Sequence, residues 1–169
     1  MPLTTGCFDY FPDALVQLAG CNFHDIGSAN TIAHWLIEGS PDDITWTAEA
    51  TAASLQVLQE LLTGCPTLEP HRQMTLLELM RSYGVALMEV ARLSKYGNDK
   101  HNAGEPIHWS RNKSFDHRDT IARHLLQYAE NDTDDGMLHA TKVAWRCLAY
   151  LQVLLEVKEG LPMSRGSKP

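Results

Sequence analysis

The stretch LQVLLEVKEG at residues 151–160 repeats, with few changes, the stretch LQVLQELLTG at residues 55–64. Three further echoes precede this pair in the same order: ALVQLA (14–19) with ALMEVA (86–91), TIAHWL (31–36) with TIARHL (120–125), and DD (42–43) with DD (134–135). Because all four echoes keep one order, the sequence predicts an internal duplication.

The repeated stretches carry apolar residues three and four positions apart, the spacing of an amphipathic helix. One such stripe runs through Leu76, Met80, Tyr83, Leu87 and Val90.

Further helices are predicted over 118–129 and 137–158, the second stopped by Gly160. Pro12 suits a first helical turn, and Gly64 closes the last helix of the first copy.

No run of alternating strand residues interrupts this pattern. The predicted fold is therefore all-α, a helical bundle of two duplicated three-helix units that form an internal pseudo-dimer. Residues 1–66 would be a degenerate N-terminal repeat, and residues 67–169 a C-terminal repeat that carries the active site within the same globule.

Composition limits the partners. The 169 residues carry a formal net charge of −7, which argues against binding to duplex nucleic acid or to an anionic membrane. No apolar run approaches the ~18 residues of a membrane span, and the N-terminus lacks the features of a signal peptide. Four widely spaced cysteines without a CxxC pair are typical of a reduced, cytoplasmic protein.

One segment departs from this acidic background. Residues 95–124 hold four of the eight histidines and six Lys or Arg residues. The second copy gains about seventeen residues here relative to the first. A local basic cluster in an acidic protein suggests a small anion such as a nucleotide.

Glu89, the pair of Asp119 and Arg123, and His124 each allow two interpretations. Glu89 lies between apolar neighbours, either at the edge of the stripe or in a polar pocket; Gln17 at the matching place in the first copy favours the pocket. Asp119 and Arg123, four residues apart, form either an exposed ion pair or part of a site. His124, which matches Trp35, is either a core histidine or a ligand.

The start of the last helix adds a further ambiguity. Asp134 and Asp135 are typical helix caps, but Asp135 and His139 would align as metal ligands if the helix begins early enough. Lys142 and Arg146 continue the same face. Carboxylates and imidazoles together suit a divalent cation, with Mg²⁺ or Mn²⁺ favoured by oxygen-rich sites.

The inserted segment supplies phosphate ligands. Lys95, Lys100, Arg111 and Lys113 could neutralise phosphates, and Trp109 offers either a surface for a base or a packing anchor. No P-loop, Rossmann or nucleophile-elbow motif is present.

The ordered motifs ALMEVARLSKYGNDKHN, GEPIHW, DTIARHLL and DDGMLHATKVAWRCLAYLQ resemble the phage dATP/dGTP diphosphohydrolase family over roughly residues 75–158. The resemblance implies a metal-dependent, MazG-like all-α enzyme. Such an enzyme converts dATP or dGTP to the monophosphate and pyrophosphate and shapes a phage nucleotide pool, with the host cytoplasm as its location. The MazG-type E-E-x-x-E helix is absent, which suggests that histidines share the coordination.

The resemblance also directs the choice of site residues. The expected metal ligands are Glu89, His124, Asp135 and His139. The candidate catalytic residues are Glu89, Asp119 and Asp135. The candidate substrate-binding residues are Lys95, Asn98, His101, Asn102, His108, Trp109, Arg111, Lys113, Arg123 and Arg146.

Two alternatives to this enzyme stay open. One is a His/Asp-type metal phosphohydrolase that acts on nucleotides through His124, Asp134 or Asp135, and His139. The other is a non-catalytic helical module that binds a nucleotide or a protein partner. Whether the internal pseudo-dimer pairs again as a homo-oligomer is also open.

Overall fold

The computed structural model describes residues 5–21, 29–65 and 73–169, and regular structure within them is almost entirely helical. The α-helices are α1 (Pro12–Ala19), α2 (Ala29–Glu38), α3 (Ile44–Thr63), α4 (Leu76–Ser82), α5 (Gly84–His101), α6 (His117–Leu125) and α7 (His139–Glu159). A π-helical turn spans Thr5–Asp9, and a 3₁₀ turn spans Arg111–Lys113. Two short strands, β1 (Trp109–Ser110) and β2 (Ser167–Lys168), pair in parallel. The predicted all-α class is confirmed.

The ends of the longest helices follow from local sequence signals. The Asp43 carboxylate accepts a hydrogen bond from the Trp46 amide at the start of α3. Gly64 and Gly160 end α3 and α7 with φ of 68° and 64°, left-handed values that glycine adopts without a steric penalty. Pro12 occupies the first turn of α1.

The predicted stripe through Leu76 and Val90 is divided between α4 and α5 at Tyr83. The helical ladder continues across the break, because the Tyr83 amide donates to the Leu79 carbonyl and the Leu87 amide donates to the Tyr83 carbonyl. Leu79, Tyr83, Leu87 and Val90 are all buried, whereas Leu76 is exposed. The buried face therefore passes through both helices.

The helix predicted over 118–129 is shorter in the structure, where α6 ends at Leu125. The carbonyls of Tyr128 and Glu130 accept hydrogen bonds from the amides of Ala140 and His139, at 3.0 and 2.9 Å. These contacts satisfy free N–H groups at the start of α7. The chain leaves α6 early because it caps the next helix with its backbone.

Helices α3 and α7 form the central pair, and the Thr51 hydroxyl of α3 donates to the Cys147 carbonyl of α7 at 3.3 Å. Helices α1 and α2 pack on α3 as α5 and α6 pack on α7, and α1 contacts α7 as α5 contacts α3. Exchanging α1, α2 and α3 with α5, α6 and α7, in that order, therefore reproduces the same contacts among these six helices. An internal duplication would produce this arrangement of helices, and the duplication itself stays a prediction.

One hydrophobic core contains residues from both halves of the chain, among them Phe11, Trp35, Leu58, Val90 and Leu148. The predicted boundary between the repeats, at residues 66 and 67, lies outside the described residues. None of the helices described is both long and apolar enough to cross a membrane.

Candidate active site

A cavity of about 290 Å³ opens between the C-terminal half of α5, the inserted loop, α6 and the start of α7. Its cationic lining residues are Lys100, Lys113, Lys142 and Arg146. Within the described part of the chain, Asp135 supplies the only carboxylate of this lining. An acidic protein has thus concentrated positive charge around one cavity, which favours an anionic ligand.

The structure brings nine of the predicted site residues to this cavity. They are Asn98, His101, Asn102, His108, Trp109, Lys113, His124, Asp135 and Arg146. The first half of the chain also contributes, since Tyr10 lines the cavity and stacks on Trp109 with ring centroids 6.3 Å apart.

Six other predicted residues lie outside the cavity lining. They are Glu89, Lys95, Arg111, Asp119, Arg123 and His139. Of these, His139 belongs to a cluster beside the cavity that is described below. The roles assigned to the remaining five stay predictions from the sequence.

The partners of those five residues explain their positions. Glu89 pairs with Arg92 at 2.9 Å, and Lys95 pairs with Asp99. Asp119 and Arg123 form the exposed i, i+4 ion pair that was one of the two interpretations.

Arg111 is held from two sides. Its guanidinium pairs with Glu156 at 2.8 Å and lies 3.8 Å from the centroid of the Trp109 ring. Because both partners fix this cation beside the C-terminal segment, Arg111 supports the wall formed by Trp109 from behind.

Three side chains meet beside the cavity in an arrangement that could hold a metal ion. One ligand atom from each of His124, Asp132 and His139 lies within 4.8 Å of the others. The Nδ1 atoms of the two imidazoles are 2.7 Å apart, and the His139 Nδ1 lies 3.9 Å from an Asp132 oxygen. Two imidazoles and a carboxylate are a familiar donor set for a divalent transition metal.

Two of the four predicted metal ligands, His124 and His139, belong to this cluster, and Asp132 replaces Asp135 in it. Helix α7 begins only at His139, so Asp135 precedes the helix and is not aligned with His139. Neither Asp134 nor Asp135 caps α7, whose N-cap residue is Leu138 and has no side-chain cap.

A tight turn delivers Asp132 to the cluster. The Asp132 amide donates to the Met137 carbonyl at 2.7 Å, and the Gly136 amide donates to the Asp132 carbonyl at 2.8 Å. Gly136 has φ of 72°, a conformation that glycine tolerates best. The sequence signal was the run DTDDG, in which the glycine marks a turn that folds Asp132 back over His139.

Local electrostatics suit metal binding. Burial and, after it, the charge of the neighbouring Lys142 lower the pKa of His124 to about 4. The Lys142 ammonium holds the pKa of Asp132 down at about 2 through a hydrogen bond. At neutral pH, His124 is therefore neutral and Asp132 is ionised, the forms that coordinate a metal.

Asp135 lies at the same end of the cavity, with a nearly buried side chain. One of its oxygens accepts a hydrogen bond from the Met137 amide at 3.0 Å, and the other pairs with Lys142 at 2.8 Å. This carboxylate is held rigidly next to the metal-binding cluster.

A second charged group lies between α6 and α7. The Arg146 guanidinium pairs with Asp116 at 3.1 Å, and Arg123 pairs with the other oxygen of Asp116 at 3.2 Å. Burial lowers the pKa of Arg146 from its ordinary value, although Asp116 raises it. Since Asp116 is half exposed, an entering phosphate could compete for Arg146.

The loop that covers the cavity is organised by two buried asparagines. The Asn98 side chain accepts from the His108 amide at 3.1 Å and donates to the Glu105 carbonyl at 3.3 Å. The Asn102 oxygen accepts from the Lys113 ammonium at 2.9 Å. Both residues reach the cavity, and their contacts within the protein position the loop.

The chain was compared with known proteins. A family model described as "dATP/dGTP diphosphohydrolase, N-terminal" matches residues 69–161. Neither the curated proteins nor the solved structures include a match to this chain. The matched span contains α4 to α7 and the whole metal-binding cluster.

Proposed function

Because the chain belongs to the dATP/dGTP diphosphohydrolase family, whose N-terminal model matches residues 69–161, we propose that it hydrolyses a deoxypurine triphosphate to the monophosphate and pyrophosphate. The observation that carries this proposal is the contact between two features of the site. The cationic cavity directly adjoins the His124–Asp132–His139 cluster, and His124 belongs to both.

The cations of the cavity would bind the triphosphate. Arg146 can form two parallel hydrogen bonds to a phosphate, and Lys113 and Lys100 add point charges. Aromatic residues also line the cavity, among them Tyr10, Trp109 and Trp145. Tyr10 and Trp109 are buried, whereas Trp145 is only partly buried and would pack against the base.

His124, Asp132 and His139 would hold one divalent ion. A bound ion there supplies Lewis acidity to the phosphate oxygens and lowers the pKa of a bound water. Because imidazole suits transition metals better than Mg²⁺, this donor set favours Mn²⁺ over Mg²⁺.

Asp135 would orient the attacking water and receive its proton, since it lies in the cavity next to the cluster. The water oxygen bonds to the α phosphorus, and the bond from that phosphorus to the bridging oxygen breaks. Pyrophosphate leaves with the electron pair, while Arg146 and the lysines stabilise the charge that develops on it.

A second function is favoured by one specific observation. The ligand set contains two histidines and an aspartate, as in a His/Asp-type phosphohydrolase, which would release triphosphate and a nucleoside. The two reactions differ in which phosphorus–oxygen bond breaks, so their products separate them.

The test incubates the full chain with each deoxynucleoside triphosphate and each ribonucleoside triphosphate in Mn²⁺, followed by chromatographic identification of the products. The proposal expects dAMP or dGMP together with pyrophosphate. Release of triphosphate and nucleoside would establish the second function instead. Intact nucleotides in every reaction would contradict both.

A further inference from the structure

Lys142 occupies an unusual place beside the metal-binding cluster. Its ammonium bonds an oxygen of Asp132 and lies 2.8 Å from an oxygen of Asp135. We propose that this ammonium takes the place of a second metal ion, so that the site binds one divalent cation per chain. The inference rests on the metal centre of the proposed function and assigns the number of metal ions that this centre binds.

The shared oxygen atom supports this role. The Asp132 oxygen that Lys142 bonds is the same one that lies 3.9 Å from the His139 Nδ1. An ion held by the cluster and the Lys142 ammonium would therefore share one carboxylate. In two-metal hydrolases a pair of ions lies about 3.5–4 Å apart. The ammonium bonds the shared carboxylate oxygen, as the second ion of such a pair would.

Burial makes this cation hard to displace. The Lys142, Asp132 and Asp135 side chains are only 14%, 14% and 4% exposed. Two carboxylates in such a setting need a compensating positive charge, and Lys142 provides it covalently.

The other lysines of the cavity make no comparable contact. Lys113 bonds the Asn102 oxygen and the His101 carbonyl, and Lys100 lies over the Tyr96 ring. Lys113 is therefore a matched control: it lines the same cavity and carries the same charge but does not bond the cluster's carboxylate in the described structure.

The test counts bound Mn²⁺ by calorimetric titration and by the electron paramagnetic resonance signal of free Mn²⁺. Each protein is also titrated with the additional substitution Asp132→Asn. Asp132 is needed both for the ion in the cluster and for a second ion in place of Lys142. Ions that still bind to the Asp132→Asn proteins therefore lie elsewhere on the acidic surface, and their number is subtracted. The expected counts are one ion for the wild type, two for Lys142→Met and one for Lys113→Met. Lys142→Arg, which keeps the positive charge, should also bind one.

Three outcomes would overturn the inference. A wild type with two ions would show that Lys142 does not occupy the second position, whether or not Lys142→Met folds. A folded Lys142→Met protein that binds one ion would show that removal of the Lys142 ammonium opens no second metal-binding position. A wild type without any ion would also remove the metal centre of the proposed function, so the two failures are distinguishable.

Discussion

The imidazoles of His124 and His139 face each other with their Nδ1 atoms 2.7 Å apart, although fifteen positions separate them in the chain. The turn from Leu126 to Leu138 produces this approach, because its carbonyls at Tyr128 and Glu130 bond the first amides of α7. The end of α6 and the start of α7 are thereby fixed to each other. We expect the pair to stay formed without metal, ready to bind it.

The first prediction concerns this pair. His139→Ala removes one donor, so Mn²⁺ affinity should fall by at least about 100-fold, more than the loss of an outer-shell partner costs. Calorimetric titration measures the change, and circular dichroism verifies that the helices remain. His34→Ala is the control, since His34 is exposed on α2 and pairs with Glu38. Unchanged affinity in folded His139→Ala would contradict the assignment.

A second prediction distinguishes the two arginines that bond Asp116. Arg146→Gln should lower kcat/KM for the nucleotide by about 100-fold, the usual cost of losing one donor to developing charge. Arg123→Gln should lower it by only a few-fold, because Arg123 is 62% exposed and lies outside the cavity lining. Steady-state kinetics under saturating metal measures both. A larger loss in the Arg123 variant would reverse their roles.

The pH dependence of stability gives a third prediction. Burial, together with the charges of Arg146 and Arg111 and against the opposing charge of Asp116, lowers the pKa of His117 from 6.5 to about 3. Between these pH values the unfolded chain binds a proton that the folded chain does not. The free energy of unfolding should therefore fall as the pH drops below about 6.5. Burial of His124 acts in the same direction down to a pKa of about 4.

Urea unfolding at several pH values, with chelator present, measures this slope. His117→Asn should flatten it, whereas His34→Asn on the exposed face of α2 should leave it unchanged. Equal slopes for the wild type and His117→Asn would show that His117 does not titrate on unfolding.

A fourth prediction concerns the joint between the two halves of the chain. The Gln152 side-chain oxygen accepts hydrogen bonds from the Asp13 and Ala14 amides, at 3.0 and 3.1 Å, at the start of α1. Gln152→Leu leaves these buried donors unsatisfied and should lower the free energy of unfolding by on the order of 3 kcal/mol. Denaturant unfolding measures the loss.

Gln56→Leu is the matched control, because Gln56 occupies the corresponding place in LQVLQELLTG and is only half buried. Its amide bonds Glu60 at 3.3 Å within the same helix. We expect a loss below about 1 kcal/mol. Similar losses in the two variants would show that Gln152 does not join the halves.

Local signals in the sequence predicted where the two longest helices end. Gly64 and Gly160 end α3 and α7 as expected, because glycine adopts the left-handed backbone that closes a helix without a steric penalty. The basic character of the inserted loop also predicted where a cationic cavity would form. Lys113 and Arg146 reach that cavity from different elements.

Side-chain partners were less accessible from the sequence. Asp132 is absent from the predicted ligands, since its approach to His139 depends on backbone hydrogen bonds across six residues. The pairing of Arg111 with Glu156 could not be predicted from the sequence, because the two residues lie 45 positions apart. Periodicity fixes which face of a helix a residue occupies, but not which distant chain segment packs there.

The most direct measurement follows pyrophosphate and monophosphate as dATP or dGTP is consumed by the full chain in Mn²⁺. We predict one pyrophosphate per nucleotide, no turnover after chelation, and recovery when Mn²⁺ is restored. His139→Ala should be inactive under the same conditions, and His34→Ala should match the wild type. Full turnover by chelated protein, or by His139→Ala, would contradict the central claim that this cluster supports hydrolysis.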